Sequence, residues 1–360
     1  MIESVDVIVD LQYGDTGKGK ITNMAMQTGD YNICLRYNGG SNAGHTFYYK
    51  GTKVVTHQVP VGALYGIPSI VGPGCVVNID KLSEELKYLS DLGIVIPIQN
   101  LMVDKRAHVV QGKHIKEDAD DVSIGTTKQG IGPAYRDKYG RTGLTVDSFN
   151  WIDEYPPFTI IDIYEFLYSS EFNYNILCEG AQGFYLDVMW GEYPYVTSSH
   201  CTVAAAIQNG VPYSSIRNVF GIAKVYETYV GNKTNFIPEC QRPYKALFDI
   251  IGDVGKEYGA TTGRRRQVRF LNLDELLPAI NMNGVTHLFF NKLDILEDVE
   301  LLPVAQQLGT VFQYQYNGKM HSFQSSIQFR DAIFYILKNN CPTLRGDGHG
   351  QTIKFSYGAK

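Results

Sequence analysis

The chain is poor in the features that define membrane, disulfide-rich and nucleic-acid-binding proteins. No run approaches about 18 apolar residues, so no segment is predicted to span a membrane. The six cysteines show no CxxC pair or metal-ligand spacing, which is typical of reduced thiols in a reducing compartment. Charged residues make up only 19% and the net charge is -5, which argues against a general nucleic-acid binder. The first residues lack a signal-peptide pattern, so we expect a soluble, cytoplasmic protein.

Hydrophobic residues make up 44% of the sequence, enough for a substantial core. No linker, repeat or low-complexity segment divides the chain, so residues 1–360 are expected to form a single domain. Apolar runs alternate with helical stretches, which predicts an α/β fold around a mostly parallel central sheet with smaller subdomain excursions. The predicted strands are 5–11, 69–71, 175–178, 218–226 and 285–291, and the predicted helices are 21–26, 81–92 and 164–169.

A turn rich in glycine and lysine, residues 14–20, joins the first predicted strand to the first helix. It satisfies G-x-x-x-x-G-K, an arrangement that points backbone N–H groups and a helix N-terminus at a phosphate. Ile21 stands where a P-loop has the Ser or Thr that holds the metal. Asp15 is a candidate to meet magnesium instead, or to act as a base. The segment predicts a nucleoside triphosphate site, and the alternative is a turn without a ligand.

Two further glycine-rich segments carry groups suited to phosphate. Residues 36–46 lead into His45, a candidate to stabilise charge on a phosphoryl group or to act as an acid. The alternative for an isolated histidine is a hydrogen-bonded loop residue. Residues 125–135, followed by Arg141, combine hydroxyls and glycines in a manner that suits a monophosphate. An ordinary glycine-rich surface loop is the alternative there.

Three other segments offer groups for recognising bases, riboses or carboxylates. Residues 179–183 and 196–199 supply amides and hydroxyls, or else form a β–α turn with a capping run. Residues 259–266 end in three arginines, whose planar forks suit carboxylates or phosphates, the alternative being a solvated charge run. Residues 291–294 read N-K-x-D after an apolar strand, the guanine-reading tetrapeptide of GTP-binding proteins. Asp294 is placed there to accept two hydrogen bonds from guanine N1 and N2.

Taken in order, these motifs resemble those of adenylosuccinate synthetase from about Val5 to Leu296. The family's motifs look like W-G-D-E-G-K-G-K, N-N-A-G-H-T, G-T-T-x-x-G-I-G-P-A-Y, E-G-A-Q-G, Y-P-[FY]-V-T-S-S, G-A-T-T-G-R-x-R and T-K-L-D. The matching segments here are 13–20, 41–46, 125–135, 179–183, 193–199, 259–266 and 291–294. The resemblance implies a ligase that uses GTP and Mg²⁺ to join L-aspartate to C6 of a purine monophosphate through a 6-phosphoryl intermediate.

The resemblance also implies roles for individual residues. Asp15 takes the N1 proton of the base and touches Mg²⁺, with the backbone of Gly44 completing the metal site. His45 stabilises charge as the γ-phosphoryl moves onto O6, and Lys18 binds phosphates. Implied for the nucleotide donor are Gly14, Thr16, Gly17, Lys18, Gly19, Lys20, Gly44, His45, Thr46, Arg266, Asn291, Lys292, Asp294 and Gly348. Implied for the monophosphate are Asp15, Asn42, Ala43, Thr126, Thr127, Gln182, Thr197, Val230, Gly231, Arg264 and, across a homodimer, Arg141. Implied for aspartate are Thr261, Thr262 and Arg264.

The sequence departs from the family pattern at several positions. Thr16 stands where Glu is common, Tyr229 where an Arg usually precedes Val-Gly, and the C-terminal segment 346–353 is altered. The opening loop (residues 10–19) and the short length of the chain are similar to those of the bacteriophage branch of the family. Members of that branch make 2-aminoadenylosuccinate from deoxyguanylate for diaminopurine DNA. We therefore predict (d)GMP as the substrate, in the host cytoplasm if the chain is phage-encoded, with IMP as the alternative. Many members of that branch carry Ser at the position of Asp15 and use ATP, whereas Asp15 and Asp294 here favour GTP.

A GTP-binding switch protein is the remaining alternative. The P-loop-like turn and the N-K-x-D tetrapeptide fit such a protein. The residue Ile21 argues against it, and a switch has no need of the segment 259–266. The expected partners are therefore GTP, L-aspartate, the purine monophosphate and a second copy of the chain, with no nucleic acid and no membrane.

Overall fold

The computed structural model describes residues 1–121, 124–151, 156–169, 171–259, 263–344 and 352–356. Strands and helices alternate along much of this part of the chain. The strands are β1 (Ile2–Asp10), β2 (Ile33–Arg36), β3 (His45–Tyr49), β4 (Thr52–Thr56), β5 (Ser69–Val71), β6 (Val76–Val77), β7 (Leu101–Asp104), β8 (His108–Val109), β9 (Thr159–Ile161), β10 (Tyr174–Glu179), β11 (Ile216–Lys224), β12 (Tyr226–Tyr229), β13 (Gln267–Asn272), β14 (His287–Asn291), β15 (Gln313–Tyr316), β16 (Lys319–Ser322) and β17 (Ile353–Phe355).

Helices cover the strands and the connections between them. The α-helices are α1 (Lys18–Thr28), α2 (Ile79–Asp91), α3 (Gly112–Asp120), α4 (Ile131–Gly140), α5 (Ile163–Tyr168), α6 (Val203–Gln208), α7 (Lys245–Val254), α8 (Leu273–Asn283), α9 (Leu293–Glu300), α10 (Pro303–Gln306) and α11 (Ser326–Asn340). Short 3₁₀ helices are Val61–Tyr65, Ile98–Asn100, Phe184–Leu186, Tyr213–Ser215 and Glu239–Tyr244. Within the described ranges, none of the helices is long and apolar enough to cross a membrane.

A nine-stranded sheet forms the centre of the described structure, in the order β17-β14-β11-β1-β10-β2-β5-β7-β9. Each neighbouring pair in it is parallel. Successive residues of β1 point to opposite faces, so Val7 and Val9 join one apolar cluster and Ile8 joins another. Burial on both faces is what a parallel sheet covered by helices requires. The predicted α/β fold with a mostly parallel central sheet is confirmed.

The predicted elements are confirmed with shifted ends, except for one strand. The run 218–226 was expected to form a single strand, but β11 ends at Lys224 and β12 begins at Tyr226. β12 belongs to a four-stranded sheet ordered β12-β13-β15-β16. Between the two strands, the Val225 amide donates to the Asn291 carbonyl, so the chain leaves the central sheet there. Apolar periodicity cannot reveal such a change of sheet, because the residues on both sides of the break, 221–224 and 226–229, are all buried.

The topology brings several functional candidates to one edge of the central sheet. The strands β1, β2, β10, β11 and β14 are parallel, and their carboxyl ends therefore lie on the same side. Ligands of parallel α/β sheets bind in the crevice beyond these ends. Residues at the ends of these strands are Asp10, Arg36, Glu179, Lys224 and Asn291.

Candidate active site

The buried carboxylate of Asp10, at the end of β1, organises the glycine- and lysine-rich loop. It accepts hydrogen bonds from the backbone N–H groups of Gln12, Gly14 and Thr16 at 2.9, 3.3 and 3.3 Å. The Thr16 hydroxyl donates to it at 2.5 Å, and Thr16 is only 1% exposed. The hydroxyl and the amide of Thr16 are therefore both used inside the loop, where they fix its shape.

Helix α1 begins directly after this loop with an open N-terminus. Gly17 occupies its N-cap at φ 98°, no side chain caps the helix, and no acidic residue lies in the first turn. The ammonium of Lys18 lies 2.8 Å from Asp10 Oδ2 and 2.6 Å from the Gln182 carbonyl oxygen. Uncapped N–H groups and the helix dipole favour an anion at this end. The predicted phosphate site therefore has a matching backbone arrangement.

His45 lies against the first turn of α1. A Cβ placed on Gly19 would lie 2.8 Å from His45 Cβ, so only glycine permits this approach. His45 Nδ1 lies 2.6 Å from Glu179 Oε1 and 3.2 Å from Arg36 Nη1. Its Nε2 is buried and has no hydrogen-bond partner among the described residues. The ring is thus held through one nitrogen while the other remains available for a ligand.

Burial governs the electrostatics around this histidine. Burial lowers the pKa of His45 to about 4, an effect that Arg36 strengthens and Glu179 opposes. Burial alone would raise the pKa of Glu179, but Arg36 and His45 lower it to about 2. Arg36 and Glu179 form an ion pair in which both side chains are almost fully buried. Glu179 is therefore a carboxylate at neutral pH, and it fixes the orientation of His45.

Asp15 projects from the same loop and pairs with Arg266. The distance between Arg266 Nη2 and Asp15 Oδ2 is 2.7 Å, and the Asp15 side chain is 30% exposed. Arg266 Nη1 donates to the buried Glu257 at 2.5 Å. The segment 259–266 and the opening loop, which are far apart in sequence, thus meet at a partly exposed carboxylate.

The N-K-x-D tetrapeptide also contacts this loop. The Asn291 side chain donates to the Thr16 carbonyl at 2.7 Å. Asp294 lies in the first turn of α9, and its Oδ1 is buried without a hydrogen-bond partner in the described part of the chain. Lys292 adopts φ 72° and donates to the Gly255 carbonyl at 2.9 Å. An unpaired buried carboxylate oxygen is costly, so Asp294 is suited to accept from a ligand.

Sequence reasoning missed Ser356, which the structure places beside this tetrapeptide. Strand β17 pairs with β14, and the Ser356 amide donates to the Phe290 carbonyl at 2.7 Å. The Ser356 hydroxyl donates to Asn291 Oδ1 and accepts from Lys20 Nζ, the latter at 3.2 Å. The apolar alternation of residues 353–355 was the available signal. Gly348, which was predicted to bind the nucleotide donor, lies outside the described residues.

Two of the segments predicted for the monophosphate, 125–127 and 230–231, meet near Arg264. Its Nη2 donates to the carbonyls of Gly125 and Thr126 at 2.7 and 3.0 Å. A Cβ on Gly125 would lie 2.7 Å from Asn232, which follows Gly231 directly. These contacts join the loop after residue 124, the turn after β12 and the segment 259–266. Thr127, Val230 and Gly231 belong to the segments joined in this way.

Gln182 and Thr197 lie in the connections that follow β10. Gln182 has φ 56°, and its Oε1 is buried with no partner among the residues described. A Cβ on Gly39 would approach this oxygen to 2.9 Å, so the loop after β2 lies directly beside it. The Thr197 amide donates to the Leu186 carbonyl at 2.8 Å. An orphaned amide oxygen is again a group that a ligand can satisfy.

The loop 40–46 connects β2 to β3. The Asn42 side chain accepts from the Gly40 amide at 3.1 Å, and the Ala43 carbonyl lies 2.5 Å from His57 Nδ1. Gly44 follows in the same loop, and Thr46 is exposed on β3. This loop leads directly into His45, and it therefore borders the first turn of α1.

Among the described residues predicted for the site, Arg141 is not assembled with the rest. Arg141 caps the C-terminus of α4 at φ 62°, and its side chain is exposed. Thr261 and Thr262 lie outside the described residues. Exposure of Arg141 agrees with its expected contact with a second subunit, which stays a prediction.

The donor set near Asp15 suits magnesium better than a transition metal. The described residues contain no group of three or more His, Cys, Asp or Glu side chains arranged to hold a metal. Magnesium is usually held by one or two carboxylates together with substrate phosphates and water. A single carboxylate, Asp15, beside the open N-terminus of α1 fits that pattern.

Comparison with known proteins agrees with this geometry. The profile of the family described as adenylosuccinate synthetase matches residues 7–156 and 150–338. The chain is 36% identical to adenylosuccinate synthetase of Helicobacter pylori over 378 residues, covering 92% of this chain and 88% of the relative. It is 34% identical to that of Caldanaerobacter subterraneus over 374 residues, covering 90% and 85%.

Two solved structures are similar to this one. The fully ligated adenylosuccinate synthetase of Plasmodium falciparum superposes with a TM-score of 0.71 at 30% identity, covering 81% of this chain and 78% of that one. The succinoaminodeoxyadenylate synthetase of cyanophage S-2L, bound to dGMP and to dATP as an energy donor, gives 0.68 at 26% identity, covering 93% and 99%. With these matches and the fold, this chain belongs to the adenylosuccinate synthetase family and is a C–N ligase.

Proposed function

We propose that this ligase joins L-aspartate to C6 of a purine nucleoside monophosphate, preferably (d)GMP, and hydrolyses GTP to GDP and phosphate. The observation that carries the proposal is the convergence of Asp15, Lys18 and His45 at one edge of the sheet. Residues 1–360 serve this function as one domain. With (d)GMP as the substrate, the product is 2-amino-(2'-deoxy)adenylosuccinate, a precursor for diaminopurine DNA.

The reaction proceeds in two displacements. The Asp15 carboxylate takes the proton from N1 of the base, which makes O6 nucleophilic. O6 then attacks the γ-phosphorus of GTP, and the bond to the β,γ-bridging oxygen breaks to release GDP. The amine of aspartate attacks C6, the C6–O6 bond breaks, and phosphate leaves with O6 as the amine loses a proton. The first displacement turns a poor leaving group into a good one.

The remaining residues position the reactants and balance charge. Lys18 and the N–H groups at the start of α1 hold the donor phosphates, with Gly14, Gly17, Gly19, Lys20 and Thr46 around them. His45 presents Nε2 to the phosphoryl group while Glu179 holds Nδ1. Asp15 and the Gly44 carbonyl would hold Mg²⁺, which would neutralise charge on the phosphates. Positioning and electrostatic stabilisation are the main sources of rate in phosphoryl transfer.

The donor base and the two other substrates are recognised separately. Asp294 Oδ1 reads guanine N1 and N2, supported by Asn291, Lys292 and Ser356. Arg264, which lies where three loops meet, and Gln182, whose buried Oε1 is unpaired among the described residues, hold the monophosphate beside aspartate. Other monophosphate residues are Asn42, Ala43, Thr126, Thr127, Thr197, Val230 and Gly231. Aspartate is bound by Thr261, Thr262 and Arg264, and Arg141 reaches the site of the other subunit in a homodimer.

Two findings favour different monophosphates. The cyanophage enzyme bound to dGMP is matched over 99% of its length, which supports (d)GMP. The 33–36% identity to bacterial adenylosuccinate synthetases supports IMP as the second candidate. The two bases differ by the exocyclic amine at C2. A site that hydrogen-bonds this amine rejects IMP strongly, because its polar groups are otherwise left unpaired.

A competition experiment tests the substrate. The enzyme receives GTP, Mg²⁺, L-aspartate and equal concentrations of dGMP and IMP, and the products are separated by mass. The proposal expects the 2-amino deoxynucleotide product to dominate. Dominant adenylosuccinate would overturn the preference for (d)GMP while retaining the ligase reaction. If neither aspartate adduct forms, both the preference for (d)GMP and the ligase reaction are overturned.

A further inference from the structure

Glu257 is a fully buried carboxylate that gathers three cations behind Asp15. Its Oε2 lies 2.9 Å from Lys224 Nζ and 2.5 Å from Arg266 Nη1, and its Oε1 lies 4.0 Å from Lys292 Nζ. The Tyr226 hydroxyl donates to Oε1 at 2.7 Å. We call these five residues the Glu257 cluster. None of the roles assigned above uses Glu257, Lys224 or Tyr226.

The cluster joins four separate parts of the site. Lys224 ends β11, and Arg266 closes the segment 259–266. Lys292 belongs to the N-K-x-D tetrapeptide. The Arg266 amide donates to the Glu257 carbonyl at 2.9 Å, so the same pair is also bonded through its backbone. Lys224 exchanges two backbone-to-side-chain hydrogen bonds with Gln12 of the opening loop, at 2.8 and 3.2 Å.

Glu257 keeps a negative charge although it is buried, because three cations lie around it. Burial would raise the pKa of Glu257, but Lys224, Arg266 and Lys292 lower it to about 2. Burial also lowers the pKa of Lys224 to about 8, although Glu257 opposes that shift. Removing one partner of such a buried set leaves the others uncompensated. The cluster therefore depends on the carboxylate at its centre.

Arg266 is held at both ends of its guanidinium group. Nη1 binds Glu257 and Nη2 binds Asp15 Oδ2 at 2.7 Å. The group is planar and rigid, so holding one nitrogen restricts where the other can lie. We propose that Glu257 is a positioning residue that holds Arg266 against Asp15 and thereby aligns the segment 259–266 with the carboxylate that accepts the N1 proton. This inference rests on the proposed function.

The first test is the Glu257→Gln variant, which keeps the size of the side chain and removes its charge. We expect kcat to fall about 10²-fold, because small misplacements at a reacting group have effects of that order. The KM for GTP should rise, because Arg266 and Lys292 of the cluster are among the residues proposed for the nucleotide donor and Arg266 contacts Asp15 of the loop. The KM for aspartate should rise, since Arg266 ends the segment that binds it.

Asp6→Asn is the matched control. Asp6 is 1% exposed and, like Glu257, contacts both an arginine and a tyrosine hydroxyl. Its carboxylate lies 2.7 Å from Arg217 Nη2 and 2.5 Å from the Tyr31 hydroxyl. It lies in the middle of β1, four residues before Asp10. Both variants should lower the unfolding temperature, but only Glu257→Gln should lower kcat. An equal loss of kcat in both would overturn the proposal in favour of a general structural effect.

A double-mutant cycle with Arg266→Met decides whether Glu257 acts through Arg266. In the Arg266→Met background, Glu257→Gln should change kcat by less than about twofold. If its full effect persists there, Glu257 does not act through Arg266 and the inference is wrong. The wild-type chain is assayed first for aspartate-dependent product. Failure at that step overturns the proposed function, whereas an additive cycle in an active enzyme overturns only this inference.

Discussion

Arg266 donates to the carboxylate of Asp15 across 2.7 Å, which ties the arginine-rich segment to the opening loop. The two residues are 251 positions apart in sequence. Their contact fixes the orientation of the proposed base and places a positive charge beside it. The same carboxylate lies next to the uncapped start of α1, where the donor phosphates are expected.

Replacing Asp15 should remove the base without removing the donor site. In Asp15→Ala, we expect kcat to fall by two orders of magnitude or more, because general acid–base groups contribute about 10²–10⁴-fold. Binding of GTP, measured by calorimetry without magnesium, should remain. The control is Asp30→Ala, an exposed carboxylate after α1. Near-normal turnover of Asp15→Ala would remove Asp15 as the base.

The contact between α1 and His45 predicts a severe effect of a single methyl group. In Gly19→Ala, the new Cβ would lie 2.8 Å from His45 Cβ, so α1 and β3 must separate. Overpacking of this kind costs about 1–3 kcal/mol of unfolding free energy, and turnover should fall as well. Gly112→Ala is the control, since its Cβ would have no atom within 4 Å. Equal urea-unfolding curves for the two variants would contradict the described packing.

Asp294 should determine which base the enzyme prefers in the nucleotide donor. In Asp294→Asn, an amide N–H donor replaces one carboxylate oxygen, so the preference for GTP should weaken. Activity with XTP, which has a carbonyl at C2, should rise. The ratio of kcat/KM for GTP and XTP measures this change. Asp298→Asn, exposed one turn later on α9, is the control and should leave the ratio unchanged. An unchanged ratio in Asp294→Asn would mean that the guanine is read elsewhere.

The buried His45 predicts a loss of stability in mild acid. Its pKa is lowered by burial to about 4, below its value in the unfolded chain. Between those two values the unfolded chain binds more protons, so the free energy of unfolding must fall as the pH falls. Denaturant unfolding at pH values from about 7 to about 4 should show a shallower loss in His45→Gln than in the wild type. His321→Gln, on β16, should follow the wild type, and identical slopes in all three proteins would contradict the prediction.

Arg141 predicts a site shared between subunits. In Arg141→Leu, the apparent KM for the monophosphate should rise, because the guanidinium no longer contacts its phosphate. Mixing Arg141→Leu with Asp15→Ala should restore part of the activity, since one site of the mixed dimer then has both residues intact. No recovery on mixing, with a dimer present by sedimentation, would place Arg141 in its own subunit's site or outside any site.

The sequence predicted the fold class and the loops of the site because their signals are local. The turn at 14–20 and the N-K-x-D tetrapeptide each lie between a strand and a helix, and the structure places both at the carboxyl ends of strands of the central sheet. The Glu257 cluster was not predicted, because its members are single charges in separate segments. Their contact arises only when β11, the turn after α7 and the segment 259–266 pack together. Lys224 at the end of an apolar strand was the one local signal.

Ser356 was missed for a related reason. Its strand β17 is only three residues long and gains its meaning by pairing with β14. A pairing between residues more than 60 positions apart cannot be read from apolar alternation alone. The split of 218–226 into β11 and β12 has the same origin, because the course of the chain there depends on which sheet accepts each strand.

The most direct test of the account follows the oxygen at C6. The monophosphate is labelled with ¹⁸O at C6 and incubated with GTP, Mg²⁺ and L-aspartate, and the released phosphate is analysed by mass spectrometry. The account predicts that one labelled oxygen appears in each phosphate released with the aspartate adduct, because O6 leaves with the transferred phosphoryl group. Unlabelled phosphate, or phosphate release that does not require aspartate, would contradict it.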